Sequence, residues 1–281
     1  MPRAAKHRVD LVLLEQGLAE SLQKAQALLM AGQVTVDGRL VDKAGALVNP
    51  GAKIEVRTAP QYVGRGGVKL AHALQTFALR VEGAIALDVG ASTGGFTDCL
   101  LQGGAARVYA VDVGYGQLHL RLRQDPRVVV MERMNARYSF QLPEAVDLAT
   151  VDVSFISLVK VLPSVAEHLR SGGQIIALAK PQFEAQRRQV GKGGVIRDPT
   201  VHAEVLARLI VWATHHRFRL RGLTPSPILG DAGNREFFLL LEMQSNAFGK
   251  LPPPASSSPL SRLLPQNVIL RSEATKNLGQ D

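Results

Sequence analysis

The sequence predicts a doubly wound α/β sheet preceded by a small α+β unit. Three observations support this. Apolar strand-like runs and amphipathic stretches alternate from residue 84 to residue 242. One run, Ala84–Leu87, enters a loop of small residues, Asp88-Val89-Gly90-Ala91-Ser92-Thr93-Gly94-Gly95, and then a helix-like Phe96-Thr97-Asp98-Cys99-Leu100-Leu101. Residues 8–58 form a self-contained pattern of two short helices and a tight hairpin.

Composition narrows the function classes. The chain of 281 residues is 46% apolar, enough for a sizeable core. Lys and Arg number 33 against 24 Asp and Glu, a net charge of +9. That excess favours a polyanionic partner, nucleic acid above all, or an anionic surface. Cys99 is the sole cysteine, so no intrachain disulfide forms and no cysteine cluster offers a zinc site. No apolar run approaches the ~20 residues of a membrane span, and the start of the chain lacks a signal-peptide core. The expectation is a soluble, cytoplasmic monomer with neither membrane nor metal as partner.

In the first unit, Leu11, Leu13, Leu14 and Leu18 fall on one expected helical face. Ser21 caps a second helix, Leu22–Met30, with Ala25, Leu28 and Leu29 inward. Val34-Thr35-Val36, the turn Asp37-Gly38 and Leu40-Val41 read as a hairpin, and Lys53–Val56 as a last strand. The unit is assigned to residues 1–58, with a linker at 59–63.

The larger unit is assigned to 64–244. A helix is expected from Val68 to Phe77, with Lys69 in its first turn. Arg107–Val111 reads as the second parallel strand and ends at Asp112, 18 residues beyond Gly94. An acid at that spacing accepts hydrogen bonds from ribose hydroxyls. Val128–Val130 reads as the third strand; Asn135 beyond it reads either as a partner of an adenine edge or as a polar turn residue. Val146–Val151 is the fourth strand, ending at Asp152. An amphipathic helix is expected from Leu158 to Leu169. Gly172-Gly173 then turns into a buried strand, Gln174–Ala179, ending at Lys180. A cation at the carboxyl end of an apolar strand needs compensation for its desolvation, and ligands bind at that edge of such sheets. Residues 185–197 are cationic and glycine-rich, reading either as a loop over the site or as a solvated loop. A long helix follows to His216, then two paired strands, the last beginning at Gly233-Asn234 with Glu236 near its start. From Ser245 the runs of Pro and Ser read as a disordered tail, 245–281.

The corner at residues 84–101 invites a nucleotide-like ligand. Dinucleotide folds use G-x-G-x-x-G to approach a pyrophosphate. Here the pattern is D-x-G-x-x-x-G-G-F-T. Asp88 would repel a pyrophosphate and attract a methionine-type ammonium. With an antiparallel strand closing the sheet, the arrangement points to a Rossmann-like S-adenosylmethionine-dependent methyltransferase. Its cofactor residues are then Asp88, Gly90, Ser92, Thr93, Gly94, Gly95, Phe96, Asp112 and Asn135.

Two family resemblances extend the reading. Residues 8–58, with Ala31-Gly32-Gln33-Val34-Thr35-Val36-Asp37-Gly38 at the join of helix and sheet, resemble the alpha-L RNA-binding module. That implies RNA contacts from Lys24, Gln26, Gln33 and Lys43. Arg65-Gly66-Gly67-Val68-Lys69-Leu70, the central corner, Val111–Leu118, Asp152–Leu158, Ala179-Lys180-Pro181-Gln182-Phe183-Glu184 and Gly233-Asn234-Arg235-Glu236-Phe237 are similar to the TlyA family. Its members are rRNA ribose 2′-O-methyltransferases of FtsJ type. The resemblance covers residues 8–243 and implies a catalytic tetrad of Lys69, Asp152, Lys180 and Glu236. It also implies S-adenosylmethionine as cofactor and ribosomal RNA or ribosomal subunits as partner. Within that tetrad Lys180 is either the general base or the cation that stabilises the developing alkoxide. The alternative function is a non-catalytic RNA-binding ribosome factor; a haemolysin label also attaches to the family.

Overall fold

The structure is a computed structural model and describes residues 6–57 and 60–244. The expected tail, and Thr58 and Ala59 at the linker, lie outside the described residues.

The small unit runs β1 (His7–Arg8), α1 (Val9–Glu15), α2 (Leu22–Met30), β2 (Val34–Val36), β3 (Arg39–Leu40), β4 (Leu47–Val48) and β5 (Ile54–Val56). Ser21 Oγ accepts the Lys24 N–H at 3.2 Å and so starts α2 as expected. Asp37 and Gly38 both take positive φ, 50° and 77°, the twist a two-residue hairpin requires. The strands form a sheet in the order β3-β2-β5, with β1 paired to β4 beside it. β1 and β4 are two residues each, too short for alternation to announce them. Val9, Leu13, Ala25, Leu29, Val34 and Val48 form the core. The expected apolar face of α1 is corrected. Leu11, Leu14 and Leu18 are exposed, because a seven-residue helix offers one stripe, and Val9 and Leu13 take it.

The large unit runs α3 (Arg65–Thr76), β6 (Ile85–Val89), α4 (Gly95–Gln102), β7 (Arg107–Val111), α5 (Leu120–Arg123), β8 (Val128–Met131) and β9 (Val146–Val151). It continues through α6 (Leu162–Ala166), β10 (Leu169–Ala179), α7 (Pro181–Glu184), α8 (Pro199–His215), β11 (Phe218–Pro225) and β12 (Phe237–Met243). The seven strands lie in the order β11-β12-β10-β9-β6-β7-β8. β6 to β10 pair in parallel, and β12 runs antiparallel to both its neighbours. This is the expected doubly wound sheet with one reversed strand. Strand order turns over between β6 and β9, where such sheets open a crevice.

Alternation along β6 assigns the two faces. Leu87 and Val89 pack with Leu162 and Val165 of α6 and Val205 and Leu209 of α8. Ala86 packs with Leu70 and Ala73 of α3 and Phe96 and Leu100 of α4. The expected bounds of four elements shift. α3 begins at Arg65, so Lys69 lies in its second turn. Its glycines serve contact: a Cβ on Gly95 of α4 would stand 2.9 Å from Gly67 N and 3.2 Å from Gly66 Cα. α6 is only five residues long, and β10 starts at Leu169. Gly172, at φ 77°, sits inside β10 where its register to β9 shifts, as a bulge rather than a turn. β12 begins at Phe237, which leaves Asn234 and Glu236 in the loop before it.

Asp88 faces the α4 side and is fully buried. It accepts Thr97 Oγ1 at 2.7 Å and Thr150 Oγ1 at 2.9 Å, tying β6 to α4 and β9. Burial pushes its carboxyl up to about 6, against the two threonine hydrogen bonds. Below its unfolded value near 3.8, Asp88 is neutral in both states and imposes no charge-burial cost. Between there and about 6 the folded state holds the extra proton, so stability falls as pH rises through that window. Asp88→Asn keeps a neutral group and removes the fall. Denaturant unfolding of the two proteins at pH 4 and pH 7 is expected to favour the variant by roughly 2–3 kcal/mol more at the higher pH. Identical pH dependence would refute this account of Asp88.

Candidate active site

The reversal of β12 sets the site. A parallel strand brings its carboxyl end to the crevice; an antiparallel neighbour brings its amino end there. Val89, Val151, Ala179 and Phe237 are linked across the sheet through the pairs Val89↔Val151, Ala177↔Val151 and Ala179↔Phe237. The residues just beyond, Gly90, Asp152, Lys180 and Glu236, therefore converge. Lys69 enters from α3.

Two ion pairs result. Lys69 Nζ donates to Glu236 Oε2 at 2.6 Å, with both side chains almost wholly buried. Lys180 Nζ lies 2.6 Å from Asp152 Oδ1 and donates to Ser154 Oγ at 2.9 Å. Asp152 Oδ1 is buried, and its close contact is the ion pair with Lys180. Glu236 is 2% exposed, because the backbone turn at 230–234 carries it inward before the strand starts.

All four groups line one cavity of about 520 Å³, together with Gly90, Ser92, Thr93, Gly95 and Phe96. The corner wraps this space by necessity. Gly90 has φ 84°, and a Cβ there would collide with the Asp152 carbonyl. Ser92 N–H donates to Asp112 Oδ2 at 2.8 Å and Gly114 N–H to Asp112 Oδ1 at 2.7 Å, so Asp112 holds the loop in shape.

The remaining expected cofactor residues stand elsewhere. Gly94 caps α4 against Leu118 and Leu122. Asp88 is enclosed by Thr97 and Thr150, so its charge is turned to the protein interior and not to the cavity. Asp112 lies outside the lining, and Asn135 is exposed and bonded to the Arg137 N–H at 3.0 Å, as a turn residue is. Of the expected RNA contacts, Lys24 and Lys43 are exposed and Gln33 is half-buried. Gln26 donates to the buried Asp10 at 3.3 Å and is engaged within the fold.

Several residues in or behind the lining carry no role in the sequence-based site. Phe155 is 91% exposed at the cavity wall, with φ 63° and its ring 4.9 Å from Phe183. Glu184 accepts Ser157 Oγ at 2.6 Å and Leu158 N–H at 2.7 Å, which anchors the loop bearing Phe155 to α7. Burial pushes its carboxyl up. Gly230 accommodates the Glu236 carboxylate where a Cβ would overlap it. Asn234 is buried and bonded through both side-chain functions. The signal for Phe155, Glu184 and Asn234 was membership of the same short segments as Asp152, Lys180 and Glu236; nothing in their residue types alone set them apart.

Comparison with known proteins agrees with this geometry. Residues 62–243 match the model of the FtsJ-like methyltransferase family, and residues 7–54 that of the S4 domain. YqxC of Bacillus subtilis is 49% identical over 84% of this chain and 85% of its own. The 16S/23S rRNA (cytidine-2′-O)-methyltransferase TlyA of Mycobacterium tuberculosis is 45% identical over 86% and 92%. Hemolysin A of Brachyspira hyodysenteriae is 41% identical over 82% and 97%; no helix among the described residues here is long and apolar enough to cross a membrane. A solved chain from Streptococcus thermophilus superposes with a TM-score of 0.65 at 45% identity, covering 85% of this chain and 89% of that one. A chain whose reversed strand, glycine corner and two Lys–carboxylate pairs meet in one cavity, and whose sequence matches the family model over residues 62–243, belongs to the FtsJ-like methyltransferase family, with an S4 domain at its amino-terminal end.

Proposed function

We propose that the chain methylates a ribose 2′-hydroxyl of ribosomal RNA, with cytidine as the target nucleoside and S-adenosylmethionine as donor. The observation that supports this most is the convergence of Lys69, Asp152, Lys180 and Glu236 on the cavity that the glycine corner encloses. The substrate class comes from the relatives, since the TlyA protein of Mycobacterium tuberculosis is named for cytidine-2′-O methylation of rRNA.

The residues present fit such a cofactor. The cavity of about 520 Å³ is walled on one side by Cβ-free backbone at Gly90 and Gly95. In this reading Gly90, Ser92, Thr93, Gly95 and Phe96 hold the donor, and Asp112 keeps their loop in shape from behind. The cofactor supplies a methyl group on a positively charged sulfur.

A ribose hydroxyl ionises far above neutral pH and must give up its proton as it attacks. The Asp152 carboxylate, on the cavity wall and ion-paired to Lys180, accepts the hydroxyl's hydrogen bond. Lys180, held between Asp152 and Ser154, acts beside it, as a base in the neutral form or as an alkoxide-stabilising cation in the charged form. The Lys69–Glu236 pair fixes the opposite wall. Aligning oxygen, methyl and sulfur accounts for most of the rate. Phe155, an exposed ring braced on Phe183, offers a stacking face to the base of the target nucleotide. Residues 1–58 dock the RNA through exposed groups such as Lys24 and Lys43, and residues 64–244 do the chemistry. The chain works as a monomer on ribosomal subunits in the cytoplasm.

Labelled S-adenosylmethionine with purified ribosomal subunits tests the reading, with the product mapped as a 2′-O-methyl. Lys180→Ala is expected to lower transfer by about 10²–10⁴-fold with cofactor affinity kept; full activity in this variant would sink the assignment. Gly230→Ala pushes the Glu236 carboxylate off Lys69, with an expected loss of about 100-fold in kcat; a wild-type kcat would show that this placement does not matter. Phe155→Ala is expected to weaken RNA binding by roughly 1–3 kcal/mol while leaving cofactor binding unchanged, as titration of each ligand separately will show.

A further inference from the structure

Beside the cavity runs a strap, residues 186–197, that the proposed chemistry does not use. Its backbone is pinned at several points. Ile196 is buried; its N–H donates to Asn234 Oδ1 at 3.0 Å and its carbonyl lies 3.1 Å from His202 Nε2. Asn234 Nδ2 donates to Gly194 O at 2.9 Å. Gln189 closes a turn onto Gln186 N–H at 3.0 Å and donates to Glu204 at 2.7 Å. Gly193 and Gly194, both at φ 76°, put bare backbone into the cavity wall.

The outward side of this fixed strap is cationic. Arg187, Arg188, Lys192 and Arg197 are all exposed. None takes part in the ion pairs found among the described residues. The nearby Asp198 is spent on capping α8 through the Thr200 N–H at 2.8 Å, and Glu204 on Gln189. Four cations on twelve residues, without internal partners and next to a reaction cavity, call for an anion from outside. Because the backbone is already pinned, little ordering cost opposes binding.

We propose that the strap is a docking wall for phosphates of the RNA strand whose ribose enters the cavity. The inference rests on the RNA-methylating function and adds a second RNA surface to the S4 domain. Arg and Lys at such a wall fix the register of the strand without reading its bases.

The test uses the full chain and purified ribosomal RNA, with binding measured from 50 to 200 mM salt. Replacing Arg187, Arg188 and Lys192 together by Gln is expected to lower the slope of log affinity against log salt by about 2, and affinity by on the order of tenfold. Cofactor affinity and melting temperature are expected to stay at wild-type values, since these side chains are exposed and bond nothing. Wild-type affinity and slope in the triple variant would overturn the proposal. Arg188→Cys gives a second, positional readout, because the native Cys99 is buried. A photo-crosslinker on that thiol is expected to capture nucleotides adjoining the methylated ribose; crosslinks mapping only to distant rRNA would overturn the wall as drawn. If the wild-type protein binds cofactor but methylates no rRNA, the functional reading falls and the strap with it. If the wild type is active and the variants match it, the strap alone falls.

Discussion

The buried pair of Lys69 and Glu236 governs how this site is built. An isolated charge taken out of water costs several kcal/mol, so neither side chain is tolerable there without the other. They lie 167 residues apart in sequence and come from a helix on one face of the sheet and a loop at its edge. Their meeting requires that β12 run backwards, so that its amino end reaches the crevice. It requires that α3 lie close on α4, which Gly66, Gly67 and Gly95 permit by lacking side chains. It also requires an empty corner at Gly230 for the carboxylate. Topology, helix packing and one missing methyl group all serve a single 2.6 Å contact.

The second pair is of a different kind. Lys180 and Asp152 sit on adjacent strand ends, β10 and β9, and are more open to solvent than Lys69 and Glu236. Lys180 divides its contacts between Asp152 and Ser154, and all three side chains line the cavity. One pair is thus a closed brace and the other a more open pair. That division fits a cavity with a fixed wall and a reactive wall.

Much of this was legible in the sequence, for identifiable reasons. Strands buried on both faces appear as unbroken apolar runs, so β6, β7, β9 and most of β10 stand out. The turn at Asp37-Gly38 and the cap at Ser21 each need particular residue types. Asp152 and Lys180 stood out as the residues that follow apolar strands, and their grouping with Lys69 and Glu236 came from the family resemblance. What failed was information held in three dimensions. The start of α3 was hidden because Gly66 and Gly67 look like helix breakers until the partner helix is seen. Asp88 looked like a ligand group because the sequence does not say that Thr97 and Thr150 enclose it. Gln26 looked free and has an internal partner, and for Asn135 the turn reading of the two left open fits its bond to the Arg137 N–H. Glu236 seemed ordinary because its burial depends on a turn at Ala232 and Gly233 that has no periodicity to read.

Phe155 combines two unfavourable features: a large ring left in water and a non-glycine backbone in the left-handed region, at φ 63°. Such a conformation costs about 1–3 kcal/mol, and the exposed ring recovers little of it. Selection for heat resistance alone would therefore drift away from phenylalanine here, towards glycine. A stabilised version of this protein, bred without its substrate, is expected to lose this residue among the first. If the ring stacks on a base as proposed, thermal robustness and function pull in opposite directions at this one position.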